Sequence, residues 1–387
     1  MNRKRLVLGV TGIRSEYDIL SSVFRAIAGH DDLDLQVFVC GAHLAESAGR
    51  TISEIRADGF PLADECLSLF ASDDPLARVK GLGVQLLGLT QTVARLRPDW
   101  LVVLGDREES ISTALVGAYA DIPVAHLCGG DLAIGNVDDQ VRHAVTKLAH
   151  LHLVSNADSA ARVRHLGEQE FRIHDVGNPG LDRLINEPQM SGPELGQALG
   201  LDLADGEPLL LVLQHVISSE HAEGYAQMRA TCDALKTLAM RTVIIHPNTD
   251  AGSDGIRRAI AELSGIAGIV SARNLPRRVF VNLMRRASCM VGNSSAGILE
   301  APTLHLPVVN VGNRQRGRLH AGNVQFVAHD PTAIVTAVRL AVYDAAYRSS
   351  VSGEISPYGD GQSGPRVAKL LAEIPLDRRL LVKEMTF

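Results

Sequence analysis

The residues best suited to chemistry lie in one stretch of the chain, residues 126–150. A β-branched, apolar run there predicts a buried strand, which ends in His126-Leu-Cys-Gly-Gly-Asp131. In an open α/β sheet, ligands bind at the carboxyl ends of the strands, where this loop would lie. The two glycines would let a ligand approach the backbone closely, because they carry no side chain. We therefore expect His126 and Asp131 to line a site.

The helix predicted next carries further acids and bases. Asp138 and Arg142 are four residues apart, as are Asp139 and His143, so each pair would share one helical face. A solvated face is the alternative, since charged pairs at this spacing are common. Together with Asp131, however, the helix predicts a cluster suited to acid/base work on a small anionic substrate.

Two earlier predicted strands also end in polar motifs. TGIRSEYD follows the first strand, where Gly12 would permit a tight turn and Arg14, at a helix start, could hold a phosphate. GDREES places Asp106 after another strand. Taken singly, Arg14 could be an ordinary exposed arginine and Asp106 a helix cap.

Polar groups follow four predicted strands in the second half of the chain. These groups are His215, Asn248, Ser294, Ser295, Glu300 and Arg314. The hydroxyls and backbone N–H groups of GNSSAGILE, at a helix N-terminus, would suit a diphosphate, and the glutamate beyond them could accept from ribose hydroxyls. An ordinary helix cap is the alternative. A P-loop is absent and GxGxxG does not follow the first strand, so ATP and nicotinamide cofactors are not expected.

Short apolar runs alternate with helical patterns along the chain, which predicts α/β domains with parallel, doubly wound sheets. The predicted strands are 5–10, 35–40, 100–104, 122–127, 151–154, 171–176, 208–213, 242–246, 268–271, 289–291 and 308–311. The predicted helices are 17–28, 74–96, 108–119, 138–149, 220–240 and 364–373.

The segment 177–192, rich in Gly, Pro and Asn, is interpreted as the crossing between two domains. We expect a first Rossmann-like domain over 1–178, joined by a C-terminal helix within 364–387, and a second over 179–363. Such domains would form a cleft, a favoured ligand site.

Bulk composition narrows the function classes. The chain has 387 residues, too long for one average core, and a net charge of −6, which argues against a nucleic-acid binder. Its five cysteines are far apart and show no metal or disulfide spacing, so we expect a cytoplasmic protein. No apolar run approaches a membrane span.

Taken together, the motifs resemble the hydrolysing UDP-N-acetylglucosamine 2-epimerases of sialic acid biosynthesis and their relatives acting on bacillosamine- or legionaminate-type precursors. The shared motifs are TGIRSEYD, GDREES, HLCGGD, NVDDQVRHAVTKLAHLHL, GNPGLD, HPNTDAG, GNSSAGILEAP, GNRQRGR and YGDGQSGPRV. They cover nearly the whole chain in the family's order. The resemblance implies a GT-B-like fold with the site in the interdomain cleft, a UDP-linked sugar as ligand, no metal or cofactor, and a homodimer or homotetramer.

The resemblance also implies residue roles. Acid/base chemistry would fall to Asp106, Asp131, Asp138 and His215. The diphosphate would contact Arg14, Ser294, Ser295 and Arg314, and the ribose Glu300. The remaining site residues would be His126, Asp139, Arg142, His143 and Asn248. Asp131, Cys128 and Val216 depart from the family's commoner pattern, which bears on the sugar rather than on the reaction class.

The implied reaction converts UDP-N-acetylglucosamine and water to N-acetylmannosamine and UDP, by elimination to a glycal and rehydration with inversion at C2. The alternative is the same reaction on a UDP- or GDP-linked 2,4-diacetamido-2,4,6-trideoxyglucose. A non-hydrolysing epimerase fits the GDR and RHAxTK motifs less well, and a glycosyltransferase fits the carboxylate-rich site less well. A non-catalytic sugar-nucleotide sensor would be expected to lack the acid/base residues.

Overall fold

The structure is a computed structural model that describes residues 3–70, 75–132, 137–203, 206–247 and 253–386. The chain forms two compact units. The first comprises Met1–Arg183 and Tyr358–Phe387, and the second comprises Leu184–Pro357. Among the described residues, no helix is both long and apolar enough to cross a membrane.

The described part of the first unit is built on a seven-stranded parallel sheet. Its strands are β1 (Arg5–Thr11), β2 (Leu33–Cys40), β3 (Leu62–Cys66), β4 (Trp100–Leu104), β5 (Val124–Leu127), β6 (Leu151–Val154) and β7 (Ile173–Asp175). Their order is β3-β2-β1-β4-β5-β6-β7, so the direction of winding reverses between β1 and β4. Ligands bind at such a switch point, because the connections on either side run apart and leave a crevice.

Helices and short 3₁₀ turns connect these strands. The helices are α1 (Arg14–Ala28), α2 (Ile52–Ala57), α3 (Pro75–Leu96), α4 (Glu108–Ala120), α5 (Val137–Leu148), α6 (Ala157–His165) and α7 (Gly180–Asn186). The 3₁₀ turns are Gly41–Leu44, Glu46–Ala48 and Glu170–Arg172. The central strands are Val- and Leu-rich and buried along most of their length, as a parallel sheet covered on both faces requires.

The described part of the second unit repeats this plan with six strands. Its elements are α8 (Gly192–Leu199), β8 (Leu209–Leu213), α9 (Gly224–Leu238), β9 (Arg241–Ile245), α10 (Ser253–Ala261), β10 (Ile269–Ala272), α11 (Arg277–Arg286), β11 (Cys289–Gly292), α12 (Ala296–Leu299), β12 (Val308–Val311), β13 (Val324–Val327), α13 (Pro331–Tyr343) and α14 (Ala345–Ser352). Two 3₁₀ turns are Ser218–Glu223 and Ala301–Leu304. The parallel order β10-β9-β8-β11-β12-β13 has its switch point between β8 and β11.

The chain then returns to the first unit with α15 (Ser363–Glu373) and α16 (Arg378–Leu381). The carboxylate of Asp182 accepts from the backbone N–H groups of Ser363 and Gly364, at 2.9 and 2.6 Å, and so caps the start of α15. The buried Arg172 donates to the carbonyls of Arg379 and Leu380, which fixes α16.

The predicted strands are present, with small shifts at their ends, and the α/β fold class is confirmed. Two strands escaped prediction, β3 and β13, which lie at the edges of the two sheets. The segment 177–192 contains the helix α7, and the chain passes from the first unit to the second within it, between Arg183 and Leu184. The helix predicted over 220–240 begins at Gly224, after a 3₁₀ turn.

Candidate active site

The first unit brings three neighbouring strand ends together at one edge of its sheet. β4, β5 and β6 are adjacent, and Asp106, Asp131 and Ser155 follow them. Because parallel strands end at the same edge, side chains that were far apart in the sequence become neighbours.

Asp106 forms an ion pair with Arg142 of α5. The two side chains are 17% and 10% exposed, so water screens the pair little. Arg142 also lies 3.5 Å from the backbone carbonyl of Cys128. The alternative role of Asp106 as a helix cap does not hold, because Arg107 occupies the N-cap of α4 and the N-cap makes no side-chain hydrogen bond. Arg142 therefore holds Asp106 as a carboxylate at the strand ends.

Asp131 is oriented by two hydroxyl groups. Ser155 Oγ and Ser159 Oγ donate to Asp131 Oδ1 at 2.5 and 2.6 Å. Asn156 caps α6 by accepting from the Ser159 backbone N–H at 2.9 Å, which fixes the serine. Sequence reasoning missed these residues. The signal was the polar run after β6, a third strand end beside the two already considered.

The first turn of α5 supplies two more carboxylates. Asp138 is partly buried and forms no side-chain hydrogen bond or ion pair with another described residue. Asp139 Oδ2 lies 3.9 Å from His143 Nε2, so the predicted pair is present on one helical face. Asp106, Asp131 and Asp138 thus occupy three different environments: Asp106 is in an ion pair, Asp131 is held by two hydroxyl groups, and Asp138 has neither kind of contact with the residues that the structure describes.

His126 lies beneath the site rather than in it. Its side chain is completely buried, and Nε2 donates to the carbonyl of Gly105 at 2.7 Å. Burial lowers the pKa of His126 to about 3, so the ring is neutral. The adjoining glycine serves packing, because a Cβ on Gly129 would come within 3.0 Å of His126 Nδ1. The expectation that His126 contacts a ligand is contradicted by its burial; it ties the loop after β4 to β5.

The loop after β1 covers a pair of buried carboxyl groups that sequence reasoning did not single out. Glu16 Oε2 accepts from the backbone N–H of Gly12 at 3.0 Å. A Cβ on Gly12 would lie 2.5 Å from the Glu109 carboxyl carbon, so the glycine is required for close approach rather than for a tight turn. Burial, and then the charge of Glu109, raise the pKa of Glu16, and burial also raises the pKa of Glu109. The pair therefore holds a proton to a higher pH than two separate, exposed carboxyl groups would.

Arg14 begins α1, as predicted, and its side chain is 55% exposed. Its Nε lies 3.3 Å from Glu54 Oε1. An exposed pair of this kind is weak, so the guanidinium could exchange that partner for an anion.

In the second unit, the loops after β8 and β11 are joined at the switch point. The buried Asn293 accepts from the backbone N–H of His215 at 2.7 Å and donates to its carbonyl at 2.9 Å. A Cβ on Gly292 would lie 2.2 Å from the Leu213 carbonyl oxygen. Asn293 was not predicted as a site residue, although it lies within GNSSAG. It fixes the backbone of His215.

The predicted nucleotide-binding residues of this unit follow β11 and β12. Ser294 Oγ accepts from the backbone N–H of Ala296 at 3.3 Å, and Arg314 Nη1 donates to the Asn293 carbonyl at 3.1 Å. Ser295 precedes α12, which has only four residues. Individual N–H and hydroxyl groups, rather than a long helix dipole, must therefore supply any anion cradle there.

Glu300 is mostly buried, and its Oε2 lies 3.4 Å from Arg277 Nη1. Burial raises the pKa of Glu300, and the charge of Arg277 opposes that rise. Asn248 lies outside the described residues. Within the described ranges, no group of three or more His, Cys, Asp or Glu side chains is placed to hold a metal ion.

Comparison with known proteins gives the chain a family context. A family model described as UDP-N-acetylglucosamine 2-epimerase matches residues 25–372. A relative from Legionella pneumophila, UDP-N,N'-diacetylbacillosamine 2-epimerase (hydrolyzing), is 33% identical over 379 residues and 98% of each chain. A UDP-N-acetylglucosamine 2-epimerase from Neisseria meningitidis is 32% identical over 320 residues, covering 82% of this chain and 81% of the relative.

A crystal structure of the UDP-GlcNAc 2-epimerase from Neisseria meningitidis bound to UDP-GlcNAc superposes with a TM-score of 0.79. It covers 95% of this chain and 100% of that one at 18% identity, so it bears on the fold alone. This likeness confirms the predicted GT-B-like fold class, whereas the family model and the relatives confirm the predicted family resemblance.

Proposed function

The chain belongs to the UDP-N-acetylglucosamine 2-epimerase family, and from this premise we propose that it is a hydrolysing 2-epimerase of UDP-N,N'-diacetylbacillosamine, a 2,4-diacetamido-2,4,6-trideoxy sugar. The reaction class rests on one observation: Asp106, Asp131 and Asp138 share a sheet edge in three different environments. The sugar rests on the Legionella pneumophila relative, which is similar along 98% of this chain.

The first half of the proposed reaction is an elimination. The C1–O bond breaks, the nucleoside diphosphate leaves with the bonding electrons, and a carboxylate takes the proton from C2 to give a glycal. Positive charge develops on the ring as the bond breaks, and a fixed carboxylate nearby stabilises it. We assign this stabilisation to Asp106, because Arg142 holds it ionised.

The second half adds water to the glycal. The hydroxyl group joins C1, and an acid returns a proton to C2 from the opposite face, which inverts that carbon. We assign the two proton transfers at C2 to Asp131 and Asp138. One of the two carboxyl groups would act as the base that takes the proton from C2, and the other as the acid that returns one to the opposite face.

In the second unit, His215, Ser294 and Arg314 are assigned to the leaving diphosphate. Asn293 holds both backbone polar groups of His215, so the imidazole projects from a fixed position. Arginine and hydroxyl donors suit the charge that accumulates on the departing phosphate.

UDP-N-acetylglucosamine is the second candidate substrate, and the sequence alone favoured it. The Neisseria meningitidis relative supports it, although that similarity covers less of the chain. The two sugars differ at C4 and C6, so discrimination between them requires different partners at the far end of the ring.

A substrate panel tests the proposal. Nucleoside diphosphate release is measured with UDP-N,N'-diacetylbacillosamine, its GDP analogue and UDP-N-acetylglucosamine. We expect the highest kcat/KM with the UDP-linked diacetamido sugar. A higher value with UDP-N-acetylglucosamine would establish the second candidate instead, and no release from any of the three would refute the hydrolysing function.

A further inference from the structure

A cavity of about 220 Å³ lies in the first unit, and Arg107, the residue after Asp106, is part of its wall. All its lining residues belong to this unit, and they come from the loop after β1, the turn after β2, residues 68–70, the helix α3 and the start of α4. The reaction scheme above does not use it. The cavity lies at the β1–β4 switch point, where ligands of such sheets bind.

The cavity wall contains a fixed hydrogen-bond acceptor. Gln85 of α3 is 2% exposed, and its Nε2 donates to Ser112 Oγ at 2.9 Å. That bond orients the side-chain amide and leaves Oε1 as an acceptor for a ligand that enters the cavity. A buried amide oxygen of this kind favours a partner with an N–H group.

The wall of the same cavity also contains a hydrogen-bond donor, Arg107. Arg107 Nε donates to Glu109 Oε1 at 3.2 Å, which holds the guanidinium against the wall. An arginine has five N–H groups in a rigid fork, so others can donate to a carbonyl oxygen. Gln85 and Arg107 together offer the acceptor and the donor that a secondary amide requires.

The rest of the wall includes apolar side chains. Leu69, Phe70, Ala77 and Leu82 contribute to it. They suit the methyl group of an acetamide and a deoxy carbon, both of which are poorly hydrated.

Two wall residues, Arg107 and Arg78, relate the cavity to the proposed reacting groups. Arg107 directly follows Asp106 in the chain. Arg78, another wall residue, forms an ion pair with Glu108, and that bond together with the charge of Asp138 raises the pKa of Arg78. A sugar whose C1 and C2 lie at Asp106 and Asp138 would therefore have its far end near this cavity.

We propose that this cavity binds the acetamido group at C4 of the substrate, with Gln85 accepting from its N–H and Arg107 donating to its carbonyl. The inference rests on the proposed function and assigns the selectivity between the two candidate sugars to these residues. UDP-N-acetylglucosamine, with a hydroxyl at C4, would leave the buried Gln85 and the partly exposed Arg107 poorly matched, and that mismatch lowers its kcat/KM.

Two variants test the subsite by different routes. Gln85→Leu removes the acceptor at similar size, and Ala77→Leu fills the cavity from α3. We expect each variant to lower kcat/KM for UDP-N,N'-diacetylbacillosamine about 10-fold or more, which is the size of one lost buried hydrogen bond. The kcat/KM of each variant for UDP-N-acetylglucosamine should change much less. Gln91→Leu, on the exposed face of the same helix, is the matched control and should leave both values unchanged.

Circular dichroism and the affinity for UDP establish that the variants fold. If both variants lower kcat/KM equally for the two sugars, or for neither, the subsite is wrong while the proposed function stands. If the unaltered protein releases UDP from neither sugar, the proposed function itself is wrong.

Discussion

At the scale of single residues, the site depends on what holds each carboxylate. Asp106, Asp131 and Asp138 were predictable because each lies at a strand end or at the following helix start. The residues that hold these carboxylates were harder to predict from the sequence. Ser155 lies 24 positions from Asp131 in the chain, and only the adjacency of β5 and β6 joins the two. Contacts across a sheet depend on strand order, which a local motif does not contain.

Asp131→Asn is the most informative single substitution. Asparagine keeps the size and can still accept from Ser155 and Ser159, but it cannot exchange a proton at C2. We expect kcat to fall by about 100-fold or more, the scale of a lost acid/base group, with UDP affinity unchanged. Asp158→Asn, an exposed carboxylate on α6, is the control. Near-normal kcat in Asp131→Asn would remove this residue from the chemistry.

At the scale of elements, burial decided what the sequence could predict. The central strands are continuous apolar runs and were found. β3 reads LADEC with two exposed acidic positions, and β13 is only partly buried, so neither edge strand shows that pattern. The C-terminal segment posed another difficulty, because nothing local in its sequence indicates that it holds α5.

That role falls to Lys383. Its Nζ donates to the carbonyls of Thr146, Lys147 and Ala149 at the end of α5, at 3.1, 2.8 and 2.6 Å, and lies 2.7 Å from Glu168 Oε2. Lysine at a helix C-terminus satisfies carbonyls that have no partner within the helix.

Lys383→Met should therefore destabilise the first unit. Methionine keeps most of the apolar stem but leaves the α5 carbonyls and Glu168 without this donor. We expect the free energy of unfolding to fall by about 2 kcal/mol, measured by urea titration. Lys369→Met, at an exposed position of α15, serves as the reference and should change the free energy of unfolding by less than about 0.5 kcal/mol. Equal stability of the two variants would show that Lys383 does not anchor α5.

At the scale of the whole molecule, the two units share one plan, a parallel sheet with polar loops at its switch point. They differ in their buried ionisable groups. Burial lowers the pKa of His126 to about 3 and those of His150 and His152 to about 4, all in the first unit. The ordinary pKa of an exposed histidine is 6.5, so the unfolded chain binds protons first as the pH falls.

The first unit should therefore lose stability as the pH falls from about 6.5 towards about 4. Glu168 contributes over a lower pH range. Its pKa is about 2 instead of the ordinary 4.5, so its contribution to stability is lost as the pH falls from 4.5 to about 2.

Urea unfolding of the first unit tests the histidine effect. The single tryptophan, Trp100, lies in the first unit, and its fluorescence reports unfolding there. The midpoint should be lower at about pH 5 than at about pH 7. A midpoint that stays constant or rises would contradict these histidine assignments.

The central claim is that the C2–H bond breaks while the nucleotide leaves. Its most direct test is turnover of UDP-N,N'-diacetylbacillosamine in D₂O, followed by NMR and mass spectrometry of the released sugar. The account predicts UDP together with a free sugar that is inverted at C2 and carries one deuterium on that carbon. Release of UDP with C2 unlabelled and uninverted would mean simple hydrolysis at C1 and would contradict the proposed role of the carboxylates.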